Sequence, residues 1–380
     1  MALDGTAFLV VCVLVTVGAF VAAVMVMPRL ARNRVAPIAL RSLILIVVNA
    51  LAVMTAGVAL NDNYQFYADW TDLSTSLYGG TISTSSHAGG TAAQAAQAAI
   101  GNSPTPAAGL LPSLPPGATG RDRVLRYTVS GSASGLTASV LVTLPEGYTL
   151  PANARRRYPV LETFPGYPGD PAEWIDSMDL GGALDAAVAA RTAGPVITIS
   201  PMTEFPAGVD TECVDGGTNG PSVETWLTKD VPAWAQRTLR VGLGRSSWAT
   251  IGLSAGAWCA AMATMLHPEQ YAAAIVMGGY FAPEFSASYR PFTSRSAAGR
   301  RYDLVTLAGH PPPVALWVET SHSDHISYPS TFRLLKAAKP PLAIDALVLS
   351  HAGHRMSLWA AELPQALAWL GKNISGFGPA

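Results

Sequence analysis

The pattern of apolar and polar positions divides the chain into three textures. Residues 6–27 and 42–60 carry no charge, and Asn49 and Thr55 are the main polar interruptions of the second run. Each run is long enough to cross a hydrocarbon core of roughly 30 Å as a helix. Residues 61–78 then mix Asp62, Asp69 and Asp72 with Tyr64, Phe66, Tyr67 and Trp70. From 79 to 120 the chain is almost entirely Gly, Ser, Thr, Ala and Pro. Such a stretch buries too little apolar area to offset its ordering entropy, which predicts a flexible tether.

After Arg121 the texture changes again. Residues 123–130 and 136–144 flank a GSASG turn and predict a hairpin. Strands are expected at 159–163, 195–200, 249–253, 272–277, 314–318 and 346–349. Between and after them, helices are expected at 181–191, 231–239, 255–266, 328–338 and 357–370. This alternation predicts a mostly parallel sheet with helices on both faces, filling residues 121–374.

Composition sharpens the picture of the first sixty residues. The chain is 49% apolar and only 13% charged, against about 25% charged in soluble domains. The two apolar runs are the source of that imbalance. A signal peptide would want a basic start, but residues 1–5 carry only Asp4, and a second run follows closely. The expectation is therefore a two-helix transmembrane hairpin with its connection at 28–41. That connection holds Arg29, Arg32, Arg34 and Arg41 and no acid. Short basic loops stay in the cytoplasm and aromatics collect at the membrane interface, so everything after residue 60 should be extracytoplasmic. The aromatics of 61–78 fit such an interface; packing against the catalytic domain is their other use. A cut in the tether should release an active soluble domain from near Arg121. With a net charge of −1 the chain has no basic field to draw nucleic acid.

The strongest chemical signal is Gly252-Leu253-Ser254-Ala255-Gly256. It lies between an apolar strand and an Ala-rich helix, the setting of a nucleophile elbow, in which the serine sits on a strained turn above the sheet. A serine hydroxyl needs a base, and the base a third group to orient it. In α/β-hydrolases these follow in the order serine, acid, histidine. His354 comes after the last expected strand and a glycine and before an amphipathic helix; His351 is its competitor. The acid should follow strand 314–318, in ETSHSDHISYPS, where Asp324 lies well into the loop and Glu319 at the strand's end. Two backbone N–H groups must receive the oxyanion. One is that of Ala255. Pro165 in the FPGYPGD turn cannot donate, which leaves Gly166 or Tyr167 as the other.

These segments resemble a known family. YPVLETFPGYPG, KDVPAW, GLSAGAWCAAMATMLHPEQYAAAIVMGGYF, the Asp324 loop and GHRMSLWAAELPQAL are similar to the esterase D-like group. That group includes mycolyltransferases, feruloyl esterases and actinobacterial membrane-linked esterases. The resemblance spans roughly residues 122–370 and implies an α/β-hydrolase fold with Ser-Asp/Glu-His catalysis on carboxylic esters. By position it points to Ser254, Asp324, His354 and the same oxyanion donors. It departs at FPG, where many relatives carry a histidine-glycine pair. No metal or organic cofactor is implied.

The expected function is an exported serine esterase acting on small-molecule, lipid or glycan esters at the cell membrane. The alternatives are an acyltransferase that passes the acyl group to a sugar or lipid hydroxyl, and a catalytically silent scaffold of the same fold. The three cysteines form no CxxC pair. Cys12 lies in the first span, whereas Cys213 and Cys259 lie in the exported part and are candidates for a disulfide.

Overall fold

The structure, a computed structural model, describes residues 3, 5–30, 35–78, 84–89 and 123–379. It divides into two compact units. One comprises Met1–Ser83 with His322–His325 and Ser350–Arg355; the other comprises Thr84–Ser321, Ile326–Leu349 and Met356–Ala380.

In the first unit α1 (Thr6–Val26) and α2 (Val35–Tyr64) form an antiparallel pair. Two threonines meet inside the pair: the Thr16 and Thr55 hydroxyls lie 2.8 Å apart, and Thr55 also donates to the Leu51 carbonyl. Apolar side chains such as Leu14, Phe20, Ile46 and Val53 point outward. α2 runs four residues past the apolar stretch to Tyr64, because helical backbone bonds form whether or not the side chains are apolar. Asn61 then turns the chain, donating to the Tyr67 carbonyl at 2.9 Å and accepting the Tyr67 N–H at 2.8 Å. A short α3 follows at Trp70–Tyr78.

The second unit is built on one sheet. Its strands are β1 (Thr84–Gly89), β2 (Val124–Ser130), β3 (Thr137–Thr143), β4 (Val160–Phe164), β5 (Ile197–Pro201), β6 (Trp248–Leu253), β7 (Ala273–Met277), β8 (Ala315–Ser321) and β9 (Ala343–Leu349). The spatial order is β1-β9-β8-β7-β6-β4-β5-β3-β2. Strands β4 to β9 are mutually parallel where they pair, whereas β3 is antiparallel to β5 and hairpinned to β2. Every residue of β4, β5, β6 and β7 is buried, as a parallel sheet covered on both faces requires. The helices of this unit include α4 (Leu180–Ala189), α5 (Val231–Thr238), α6 (Ala255–Leu266), α7 (Tyr328–Ala337) and α8 (Met356–Asn373). α6 is buried over nearly its whole length, which its small Ala and Gly residues permit.

One element departs from the sequence pattern. Thr84–Gly89 falls in the expected tether, yet it pairs antiparallel with β9 from Thr84↔Leu349 to Gly89↔Ile344. The apolar pattern is blind to such a strand, because a sheet edge recruits backbone N–H and C=O groups rather than side chains. The remainder of the expected tether, 79–83 and 90–120, lies outside the described residues, as do Arg32 and Arg34.

Candidate active site

The register of the central strands lines up their carboxyl ends. Phe164 of β4 is level with Gly252 of β6, and Leu253 of β6 with Met277 of β7. The turns that leave these strands therefore open at one edge of the sheet, where ligands of open α/β folds bind.

Ser254 occupies the turn between β6 and α6 with φ 54° and ψ −122°. A side-chain-bearing residue rarely adopts a positive φ, and such strain gathers at functional sites. The turn is held by the Ser254 N–H, which donates to the Met277 carbonyl at 2.9 Å. The two glycines of the motif are explained by space. A β-carbon on Gly252 would overlap the Gly256 carbonyl oxygen, and one on Gly256 would overlap the Phe164 and Pro165 carbonyl oxygens. β6 and α6 can meet this closely only without side chains there.

Ala255 opens α6, where the first N–H groups of a helix find no carbonyl partner within it. The β4 turn also reaches Ser254: a β-carbon on Gly166 would stand 3.6 Å from that of Ser254. The Gly166 N–H, however, is directed to Glu173 Oε2 at 2.9 Å. Of the two alternatives in this turn, Gly166 is thus engaged by a carboxylate. Burial pushes the Glu173 carboxyl up to about 7, against the lowering effect of that hydrogen bond.

Asp324 and His354 form a pair. His354 Nδ1 lies 2.9 Å from Asp324 Oδ2, and both side chains are buried. Such a bond orients the imidazole ring and fixes its tautomer. The competitors are engaged elsewhere. His351 is 61% exposed and lies 3.2 Å from Asp69. Glu319, near the end of β8, accepts the Trp359 indole N–H at 3.0 Å.

Cys213 and Cys259 are joined in a disulfide with α-carbons 5.7 Å apart. The bond ties α6 to a loop in which Glu212 and Cys213 both have positive φ. Beside it, a small recess is bordered by Gly166, Tyr167, Glu204, Asp210 and Ala255. Sequence reasoning missed its acids, Glu204 and Asp210, and the buried Glu212 next to Cys213. Burial, and then the nearby Asp210, hold the Glu212 carboxyl well above the usual range, while the Tyr280 hydroxyl contacts both its oxygens. Nothing periodic in the sequence marks a carboxylate that becomes buried by a loop.

Comparison with known proteins agrees with this architecture. A protein of Corynebacterium glutamicum described as uncharacterized is 31% identical over 268 residues, which are 66% of this chain and 61% of that protein. The chain thus spans about three-fifths of the curated relative it matches. Among solved structures, a ferulic acid esterase superposes with a TM-score of 0.54 at 18% identity, covering 65% of this chain and 96% of that one. An S-formylglutathione hydrolase from Agrobacterium tumefaciens gives 0.54 at 16% identity, covering 66% and 94%. At such identities the likeness concerns the fold, which is of the α/β-hydrolase type. The family model named Esterase, described as "Putative esterase", matches residues 132–370. The chain belongs to this esterase family.

Proposed function

We propose that the chain is a membrane-anchored serine esterase whose nucleophile is Ser254. The observation that carries this reading is the strained backbone of Ser254 at a sheet edge, within a chain of the esterase family. The hydroxyl attacks the ester carbonyl while His354 takes its proton, and Asp324 holds the imidazole and stabilises its charged form. The Ala255 and Tyr167 N–H groups receive the oxyanion. His354 then protonates the leaving alcohol, and water attacks the resulting acyl-enzyme to restore Ser254. The substrate is a small-molecule, lipid or glycan carboxylic ester. A fluorophosphonate probe should label the full-length protein at Ser254, and Ser254→Ala should abolish labelling; an unlabelled wild-type protein would refute the reading.

Membrane anchoring belongs to the same proposal. α1 and α2 are long and apolar enough to span a bilayer, and most of their central residues are exposed, unlike those of the core helices of a soluble protein. The arginines between the spans favour a cytoplasmic connection and an extracytoplasmic catalytic domain.

A further inference from the structure

In this esterase reading the acid and the base of the triad, Asp324 and His354, both lie on irregular chain after a strand. Those two loops are held by a third segment, Gln65 to Asp72, which continues directly from α2. The Gln65 carbonyl accepts the His354 N–H at 2.7 Å. The Gln65 side-chain oxygen accepts the N–H of His325, the residue after Asp324, at 3.1 Å. One residue therefore hydrogen-bonds the backbone of both loops.

Asp72 completes the grip. Its buried carboxylate accepts the Gly353 N–H at 2.8 Å and the two terminal nitrogens of Arg355 at 2.7 Å each. It thus holds the residues on either side of His354. Arg355 also donates to the Phe66 carbonyl at 2.9 Å and lies 4.9 Å from the centre of the Tyr67 ring. A bidentate, charge-assisted pair is both strong and directional. Gly353 fits because a β-carbon there would overlap the Phe66 carbonyl oxygen. Asp72 is itself tied to its own segment through the Ala68 N–H at 3.0 Å.

We propose that Asp72, with Gln65, is a positioning residue of the esterase, so that the segment following the second membrane span sets the geometry of the Asp324–His354 pair. The proposal rests on the catalytic reading given above. It gives residues 61–78 a task beyond lying at a membrane interface. It also reverses one expectation from the sequence: a fragment beginning near Arg121 would lack Asp72 and turn over poorly. A displacement of about 1 Å at a catalytic group is enough to cost roughly 100-fold in rate.

The test uses the full-length protein in detergent, a short p-nitrophenyl ester and a fluorophosphonate titration that counts reactive sites. Asp72→Asn should lower kcat about 100-fold per folded molecule with KM within about twofold. Asp72→Asn combined with Arg355→Gln should be no worse than Asp72→Asn alone, since the two act as a unit. Should Asp72→Asn fail to melt cooperatively, Gln65→Ala, which keeps the main-chain oxygen, is read instead and should lower kcat about tenfold. A folded variant with wild-type kcat overturns the proposal, as does a loss of activity explained wholly by a smaller folded fraction. Wild-type protein that neither labels nor turns over ester would instead refute the esterase reading itself, so the two failures are separable.

Discussion

At the scale of single residues, the proposed mechanism rests on three side chains, and each can be removed alone. Ser254→Ala should lower kcat by roughly 10⁶ and His354→Ala by nearly as much, because triad members act as a unit. His351→Ala, at an exposed side chain facing Asp69, should leave the rate unchanged; a dead His351 variant would reassign the base. Glu162 offers a different test. It is fully buried on β4, accepts the Tyr271 hydroxyl at 2.7 Å, and burial pushes its carboxyl up to about 8. The native state therefore holds a proton that the unfolded chain releases above about pH 4.5. Stability is fully present below that pH and is lost as pH rises through about 8, by at most about 5 kcal/mol. Glu162→Gln should flatten this dependence, seen as a smaller fall in Tm between pH 5 and pH 8. Equal slopes for the two proteins would show that Glu162 is charged in the fold. Ser254 was legible in the sequence because its motif is local. Glu162 was not, since a carboxyl inside an apolar strand looks no different from one at its surface.

At the scale of elements, the elbow depends on how closely β6, α6 and the β4 turn approach. Gly256→Ala would drive a β-carbon into the Phe164 and Pro165 carbonyl oxygens. It should lower activity more than about 100-fold through displacement of the nucleophile. A fully active Gly256→Ala enzyme would mean that the turn can yield. The second test is the Cys213–Cys259 bridge, which closes 46 residues of chain. Replacing both cysteines with alanine should cost roughly 4 kcal/mol by the loop-entropy argument, read as a lower denaturant midpoint. An unchanged midpoint would mean that burial alone fixes the loop. The alternation of strands and helices was readable because burial on both faces leaves uninterrupted apolar runs. β1 was not, because its residues are those of a tether and its pairing with β9 is a matter of backbone alone.

At the scale of the whole molecule, the proposed membrane anchoring makes a prediction about topology. The proposed orientation, with Arg29, Arg32, Arg34 and Arg41 in a cytoplasmic connection, predicts that a protease site inserted at residues 90–120 is cut in intact cells. Cleavage that appears only after lysis would invert the topology.

Periodicity and spacing by themselves determined the two apolar helices, the run of strands and helices, and the strand-to-helix turn at Ser254. All of these depend on residues within a turn or two of one another, so a linear pattern can encode them. Tertiary structure alone decided which loop groups meet: Asp324 rather than Glu319 beside His354, and Glu173 on the Gly166 N–H. The grip of Asp72 on Gly353 across 281 residues of sequence belongs with them. Contacts of this kind satisfy buried polar groups, and their partners are selected by where the folded chain passes. Neither residue carries a local mark of the other.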